Sequence, residues 1–159
     1  MKFRIGNGVD FHRLEDGLPF TLGGIQIEHT KGPVGHSDAD VLLHAICDAM
    51  LGALNLGDIG KHFPDTDMSY KGIDSKILLQ RSHDLIKEKG YSVVNIDATV
   101  CLEKPKIAPH LDKMKAAISG ATGIDVADIS IKATTTEKLG FVGREEGVVA
   151  YANILLSSN

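Results

Sequence analysis

Three stretches of this chain hold the residue types that could do chemistry: Asp10-x-His12, the run from Gly35 to His44, and Thr134-Thr135-Thr136-Glu137. The middle run, Gly-His-Ser-Asp-Ala-Asp-Val-Leu-Leu-His, packs two imidazoles, two carboxylates and a hydroxyl into ten residues and then continues almost unbroken in apolar sequence to Leu56. Residues two apart on a strand share a face, so Asp10 and His12 can point at one ligand, and His44 can supply a third donor from a buried helix. Nitrogen and carboxylate donors without Cys suit Zn²⁺ held by three side chains with one position left open. His36 and Ser37 stand at the start of that helix, where free N–H groups and the positive end of the dipole favour an anion such as phosphate. Asp40, His44 and Asp48 recur at intervals of four, and Asp40 or Asp48 is expected to hold the second ring nitrogen of His44. The Thr134 to Thr136 hydroxyls suit phosphate oxygens, and Glu137 offers a hard oxygen to Mg²⁺. These residues alone leave two other readings open, a metal-dependent phosphohydrolase and a protein that binds an ion or a diphosphate without turnover.

The elements that must position these groups follow from periodicity and punctuation. Phe3 to His12 reads as a strand, and Leu18 to Ile27 as a hairpin across Gly23-Gly24. Thr30 to Gly35 reads as a loop. Ser37 with Asp40 resembles a capping box, so a helix is expected from near Asp38, apolar on most sides from Ala39 to Leu56. Gly57 to Lys71 reads as a loop with at most a short helical turn. Asp74 caps a helix to about Lys89, stopped by Gly90, and Ser92 to Glu103 is a strand. Pro109 opens a helix ending near Ala121. Ile129 to Ala133 and Val148 to Leu156 complete the strands. The order predicts an α+β fold: a sandwich of a mixed β-sheet with helices on one side, in a single domain over residues 1–159.

Composition narrows the partners. A net charge of -4, no Trp and 5% aromatic residues argue against nucleic acid as the ligand. No window approaches the ~18 apolar residues of a membrane helix, so no membrane role and a cytoplasmic location are expected. Cys47 and Cys101 lack metal or disulfide spacing and read as two reduced, buried thiols. Gly6-Asn7-Gly8 lacks the third glycine and following helix of a dinucleotide fingerprint.

Taken together, Asp10-x-His12, Gly35-His36-Ser37-Asp38-x-Asp40-Val41 with His44, Leu56 to Gly60 with Phe63-Pro64-Asp65-Thr66-Asp67, and Lys132 to Phe141 resemble the 2-C-methyl-D-erythritol 2,4-cyclodiphosphate synthase family over essentially the whole chain. The resemblance implies a homotrimer around a central cavity, with active sites at subunit interfaces. It implies closure of 4-diphosphocytidyl-2-C-methyl-D-erythritol 2-phosphate to the 2,4-cyclodiphosphate with release of CMP, a step of non-mevalonate isoprenoid synthesis. Carried over residue by residue, Asp10, His12 and His44 would hold Zn²⁺ or another divalent transition metal, and Glu137 would hold Mg²⁺ or Mn²⁺. The catalytic positions are His36, Thr135 and Asp58. Ser37, Asp58, Gly60, Phe63, Asp65, Pro105, Lys106, Ala133, Thr134 and Thr135 would contact the cytidine diphosphate substrate. Phe141 and Arg144 would line the central cavity, where an isoprenoid diphosphate could sit.

Overall fold

The computed structural model describes residues 1–158. In chain order the elements are β1 (Lys2–Asp16), β2 (Phe20–Leu22), β3 (Ile25–Ile27), β4 (Lys31–Pro33), α1 (Val41–Ala53), α2 (Ile59–His62), α3 (Ser75–Glu88), β5 (Tyr91–Cys101), α4 (Leu111–Thr122), β6 (Ile129–Thr134), α5 (Gly140–Gly143) and β7 (Gly147–Ser158), with single 3₁₀ turns at Met68–Tyr70, Ala108–His110 and Val126–Asp128. The sheet order is β4-β1-β7-β5-β6, antiparallel except for the β5–β6 pair, and β2–β3 form a separate hairpin. This is the expected α+β architecture of a mixed sheet flanked by helices.

The strand β1 is built inside out. Its large apolar residues Phe3, Ile5 and Phe11 point away from the helices and are 57%, 81% and 56% exposed, while Gly6 and Gly8 face α1 and are buried. Opposite them α1 presents Ala45, Ala49 and Ala53, an i, i+4, i+8 stripe of small side chains. Glycine against alanine lets the two backbones approach until a Cβ on Gly8 would lie 1.9 Å from the Ala45 carbonyl oxygen. The helix therefore lies directly on the strand, and His44 comes down beside Asp10 and His12. The remaining core is filled from α1, α3 and α4 against Ile96, Ala98 and Val100 of β5, Ile129 and Ile131 of β6, and Ala150, Ala152 and Ile154 of β7.

Helix α1 starts at Val41, three residues after the expected point, because Asp40 is its cap and not the fourth member of a capping box. The Asp40 carboxylate is fully buried and accepts from the N–H groups of Leu43 at 3.0 Å, Gly23 at 2.9 Å and Gly24 at 2.6 Å. It thus ties the β2–β3 hairpin to the helix and occupies the helix start itself. The expected loop at Thr30 to Gly35 contains β4, where Leu14 pairs with Pro33 and Asp16 with Lys31 at the sheet edge. An edge strand tolerates the missing N–H of Pro33, so pairing overrides a Lys-Gly-Pro sequence with little strand propensity. Cys47 is buried as expected and its thiol is pushed up to about 12 by that burial, whereas Cys101 is only half-buried.

Candidate active site

Asp10 Oδ2, His12 Nε2 and His44 Nδ1 converge on one point. Their separations are 2.9 Å for Asp10–His12, 3.0 Å for Asp10–His44 and 3.2 Å for His12–His44. Two donors come from one face of β1, held in register by the pairs Asp10–Ala150 and His12–Val148, and the third from the first turns of α1. Nitrogen and oxygen ligands 2.0–2.1 Å from a tetrahedral centre stand about 3.3 Å apart, so this cluster is nearly set for a divalent metal. The donor set fits the ion that the sequence suggests, and the three atoms are preorganised by groups behind them.

Each ring is fixed from its far side. His12 Nδ1 lies 2.7 Å from the Val34 carbonyl oxygen, to which it can only donate, leaving Nε2 as the lone-pair donor. His44 Nε2 lies 2.9 Å from Ser75 Oγ and 3.1 Å from Ser37 Oγ. The expectation that Asp40 or Asp48 would hold this nitrogen is therefore corrected. Asp40 is committed to three backbone N–H groups, and Asp48 accepts from Ile59 N at 2.8 Å, anchoring the start of α2. Ser75 comes from α3, more than thirty residues along the chain, and nothing near His44 in the sequence announces it.

Burial alone would raise the Asp10 carboxyl, but hydrogen bonds from His12 and His44 outweigh it and hold that carboxyl well below the usual carboxylate range. Burial likewise lowers His12, yet the bond and charge of Asp10 more than compensate, leaving His12 above its ordinary 6.5. A metal can bind Nε2 only after that proton leaves. The metal-free protein is thus expected to lose zinc affinity as pH falls, with a midpoint above 6.5, because the raised His12 keeps its proton to higher pH than a free imidazole. Competition titrations against a chromophoric chelator across pH 5–8 check this, and a flat profile would contradict it.

A pocket of about 330 Å³ opens over the cluster, lined by Asp10, His12, His36, Ser37, His44, Ile59, Gly60, Phe63, Asp65, Tyr70, Ile73 and Leu78. The structure therefore gathers the predicted Ser37, His36, Gly60, Phe63 and Asp65 around the predicted metal ligands. The far wall comes from the expected loop, which is more ordered than its composition suggested. Asp58 caps α2 by accepting from Lys61 N at 3.0 Å, and Asp67 caps the 3₁₀ turn through Ser69 N at 2.9 Å. Gly72 N donates to the His36 carbonyl at 2.8 Å, and Phe63 stacks edge-on to Tyr70. Asp58 lies just outside the pocket lining, beside Ile59 and Gly60. At the start of α1 the Asp40 side chain takes the Leu43 N–H that an anion would otherwise use, and His36 and Ser37 line the pocket.

The second predicted group collects elsewhere. Parallel pairing of Val100 with Ala133 and Cys101 with Thr134, continued by Leu102 N donating to the Thr134 carbonyl at 2.9 Å, brings together the C-terminal ends of β5 and β6, from which the Pro105–Lys106 and Thr135–Glu137 segments lead on. Glu103, unremarked in the sequence, organises this corner: its Oε1 accepts from Thr136 N and Lys138 N, each at 3.1 Å. Glu137 is exposed, sits in the left-handed region at φ 53° and accepts from Thr135 Oγ1 at 3.3 Å. β6 is the third strand over from β1, roughly 14 Å away at the usual strand spacing, and none of these residues lines the pocket. Phe141 lines a separate opening of about 700 Å³ with Phe11, Lys31 and Glu146, and Arg144 is paired with Glu146 through two contacts of 3.1 Å.

The sequence profile of the YgbB family matches residues 3–157. The chain is 59% identical to 2-C-methyl-D-erythritol 2,4-cyclodiphosphate synthase of Bacteroides thetaiotaomicron, with all of both chains covered. Its structure superposes with a TM-score of 0.95 on the bifunctional IspDF from Campylobacter jejuni, at 42% identity over 99% of this chain and 43% of that one. The Plasmodium falciparum IspF CDP complex matches at a TM-score of 0.87 and 36% identity, over 99% of this chain and 97% of that one. The family match over residues 3–157, the 59% identity over the whole chain and the superposed fold together show that the chain belongs to the 2-C-methyl-D-erythritol 2,4-cyclodiphosphate synthase family.

Proposed function

We propose that this protein closes 4-diphosphocytidyl-2-C-methyl-D-erythritol 2-phosphate to 2-C-methyl-D-erythritol 2,4-cyclodiphosphate. An oxygen of the 2-phosphate attacks the β-phosphorus, the bond from that phosphorus to the bridging oxygen breaks, and CMP leaves. The observation that carries this reading is the convergence of Asp10, His12 and His44 at the floor of a pocket with an apolar wall. Those three residues would hold Zn²⁺ and Glu137 would hold Mg²⁺ or Mn²⁺, supplying the positive charge that offsets repulsion between the two phosphate groups. His36 and Ser37 reach the phosphates, Thr135 orients the diphosphate, and Asp58 accepts from the ribose hydroxyls with the oxygen that Lys61 does not occupy. Phe63 and Asp65 cover the methylerythritol end. Pro105, Lys106, Ala133 and Thr134 form the cytidine side. Intramolecular attack needs no covalent enzyme intermediate, so the chain contributes mainly by holding reacting atoms in line and excluding water.

The separation of the two clusters supports a homotrimer in which Thr134 to Glu137 of one subunit completes the metal cluster of the next. The exposed sheet face supports it as well. Phe3, Ile5, Val9, Phe11 and Tyr151 form an apolar surface of the kind that a second copy covers. The opening beside Phe141 and Arg144 would then face the trimer's cavity and take an isoprenoid diphosphate. Incubation with the cytidine diphosphate substrate and Mg²⁺, following cyclic product and CMP together, tests the reaction. Equal release of both supports cyclisation, and a linear monophosphate without cyclic product would assign a hydrolase.

A further inference from the structure

Behind the metal cluster runs a line of hydrogen bonds that reaches a carboxylate outside the pocket. Ser75 Oγ donates to Asp38 Oδ1, and Ser75 N donates to Asp38 Oδ2 at 3.0 Å. Asp38 Oδ1 also accepts from Asp40 N at 3.2 Å, and Asp38 N donates to the Ile73 carbonyl at 3.1 Å. These bonds clamp the Gly35–Asp40 segment to the start of α3. Ser75 is completely buried, and its one hydroxyl hydrogen is committed to Asp38. Toward His44 Nε2, 2.9 Å away, Ser75 Oγ can then only accept.

That one-sidedness matters because of which ring nitrogen faces the cluster. His44 turns Nδ1 toward Asp10 and His12. When Nδ1 gives its lone pair to a metal, the ring's only hydrogen sits on Nε2 and needs an acceptor. Ser37 Oγ, at 3.1 Å, does not decide the matter. It accepts from Ala39 N at 3.1 Å, and its own hydrogen is free either to donate to Nε2 or to turn toward the pocket. Ser75 has no such choice.

We infer that Ser75, oriented by Asp38, is the positioning residue that fixes His44 in its metal-ligating tautomer. The inference rests on the reading of Asp10, His12 and His44 as a metal site. It assigns to α3 a part in the site that the position of His44 on α1 gives no hint of, and it leaves the Ser37 hydroxyl free for substrate.

The test compares zinc affinity, by competition with a chromophoric chelator, in the wild type, Ser75→Ala, Asp38→Asn and His44→Ala. Losing a partner behind a ligating histidine weakens metal binding by about 10–100-fold, and that loss is expected for Ser75→Ala. Asp38→Asn is expected to weaken binding about tenfold, because an amide can donate to Ser75 and release its hydroxyl hydrogen to point at His44. Melting of the zinc-free variants separates a structural role, which would lower stability without moving zinc affinity. In zinc-loaded wild type labelled with ¹⁵N-histidine, the His44 Nε2 hydrogen is expected to be protected from solvent exchange, a readout that needs no variant. Zinc affinity within twofold of wild type in either variant, or an unprotected Nε2 hydrogen, overturns the inference. Undiminished zinc in His44→Ala overturns the metal site itself, so the two failures are distinguishable.

Discussion

Replacing His44 by Ala is expected to remove bound zinc and CMP release together, while leaving the fold intact. His44 is the only ring nitrogen that α1 brings to the cluster, and Asp10 and His12 would remain as two donors on one strand. Structural zinc sites bind with about 10–16 kcal/mol, so one of three or four ligands carries roughly 3–4 kcal/mol, or two to three orders of magnitude in affinity. At free zinc of about 1 nM or below the variant would be largely empty. Metal content by elemental analysis and CMP release by chromatography check both halves. Normal CMP release from a variant shown to be zinc-free would contradict the assignment. The ring is nearly buried, so Ala leaves a small cavity whose edge opens into the pocket, and thermal stability is expected to fall modestly.

The largest effect on folding is expected at a residue with no side chain. In Gly8→Ala the new Cβ would stand 1.9 Å from the Ala45 carbonyl oxygen, and in Gly6→Ala 1.8 Å from that of Ala49, where real Cβ atoms do not come within 3.0 Å. Both obstacles are backbone, held in the helix hydrogen-bond ladder, so neither can rotate aside. Strand β1 would have to lift off α1, opening the core and drawing Asp10 and His12 away from His44. A loss of more than about 3 kcal/mol follows, equivalent to roughly 10 °C in a chain of this size. Gly120 in α4, around which a Cβ would meet nothing within 4 Å, provides the contrast. Gly120→Ala is expected to be neutral or to stabilise by up to about 1 kcal/mol. Thermal melts of the three variants decide it. A Gly8→Ala protein that melts with the wild type would show that the strand and helix are not in this close contact.

These two substitutions mark what the sequence reveals and what it hides. Asp10 and His12 are legible as a pair because strand periodicity alone puts them on one face, and His44 because a polar ring in an apolar helix needs a partner. The orientation of β1 is not legible. Phe3, Ile5, Val9 and Phe11 mark a strand without saying which face is buried, and only the chain's own fold shows that the glycines face inward and the aromatics outward. The Gly57 to Lys71 segment reads as a loop, yet Asp58 and Asp67 each cap a short helical turn within it, Asp58 with one carboxylate oxygen alone. Spacing of four made Asp40 and Asp48 neighbours of His44 along the helix, but each turns to backbone N–H groups of another segment. Ser75 and Glu103 carry no local signal, because their partners lie more than thirty residues away and a lone Ser or Glu fits any surface. Long-range pairing decides such residues, and a single sequence does not display it.

The division of one site between two subunits is the central claim, and mixing variants tests it most directly. If the proposed trimer divides the site, His44→Ala disables one half and Glu137→Gln the other, so each variant alone is expected to be inactive or nearly so. Co-expression with two different tags and purification through both yields oligomers containing each kind of subunit. In the proposed trimer one interface of each mixed oligomer joins an intact His44 to an intact Glu137, so about a third of wild-type CMP release is expected. Mixed oligomers no more active than the two homotrimers would place both residues in a site within one chain, or in no common site, and would contradict the account.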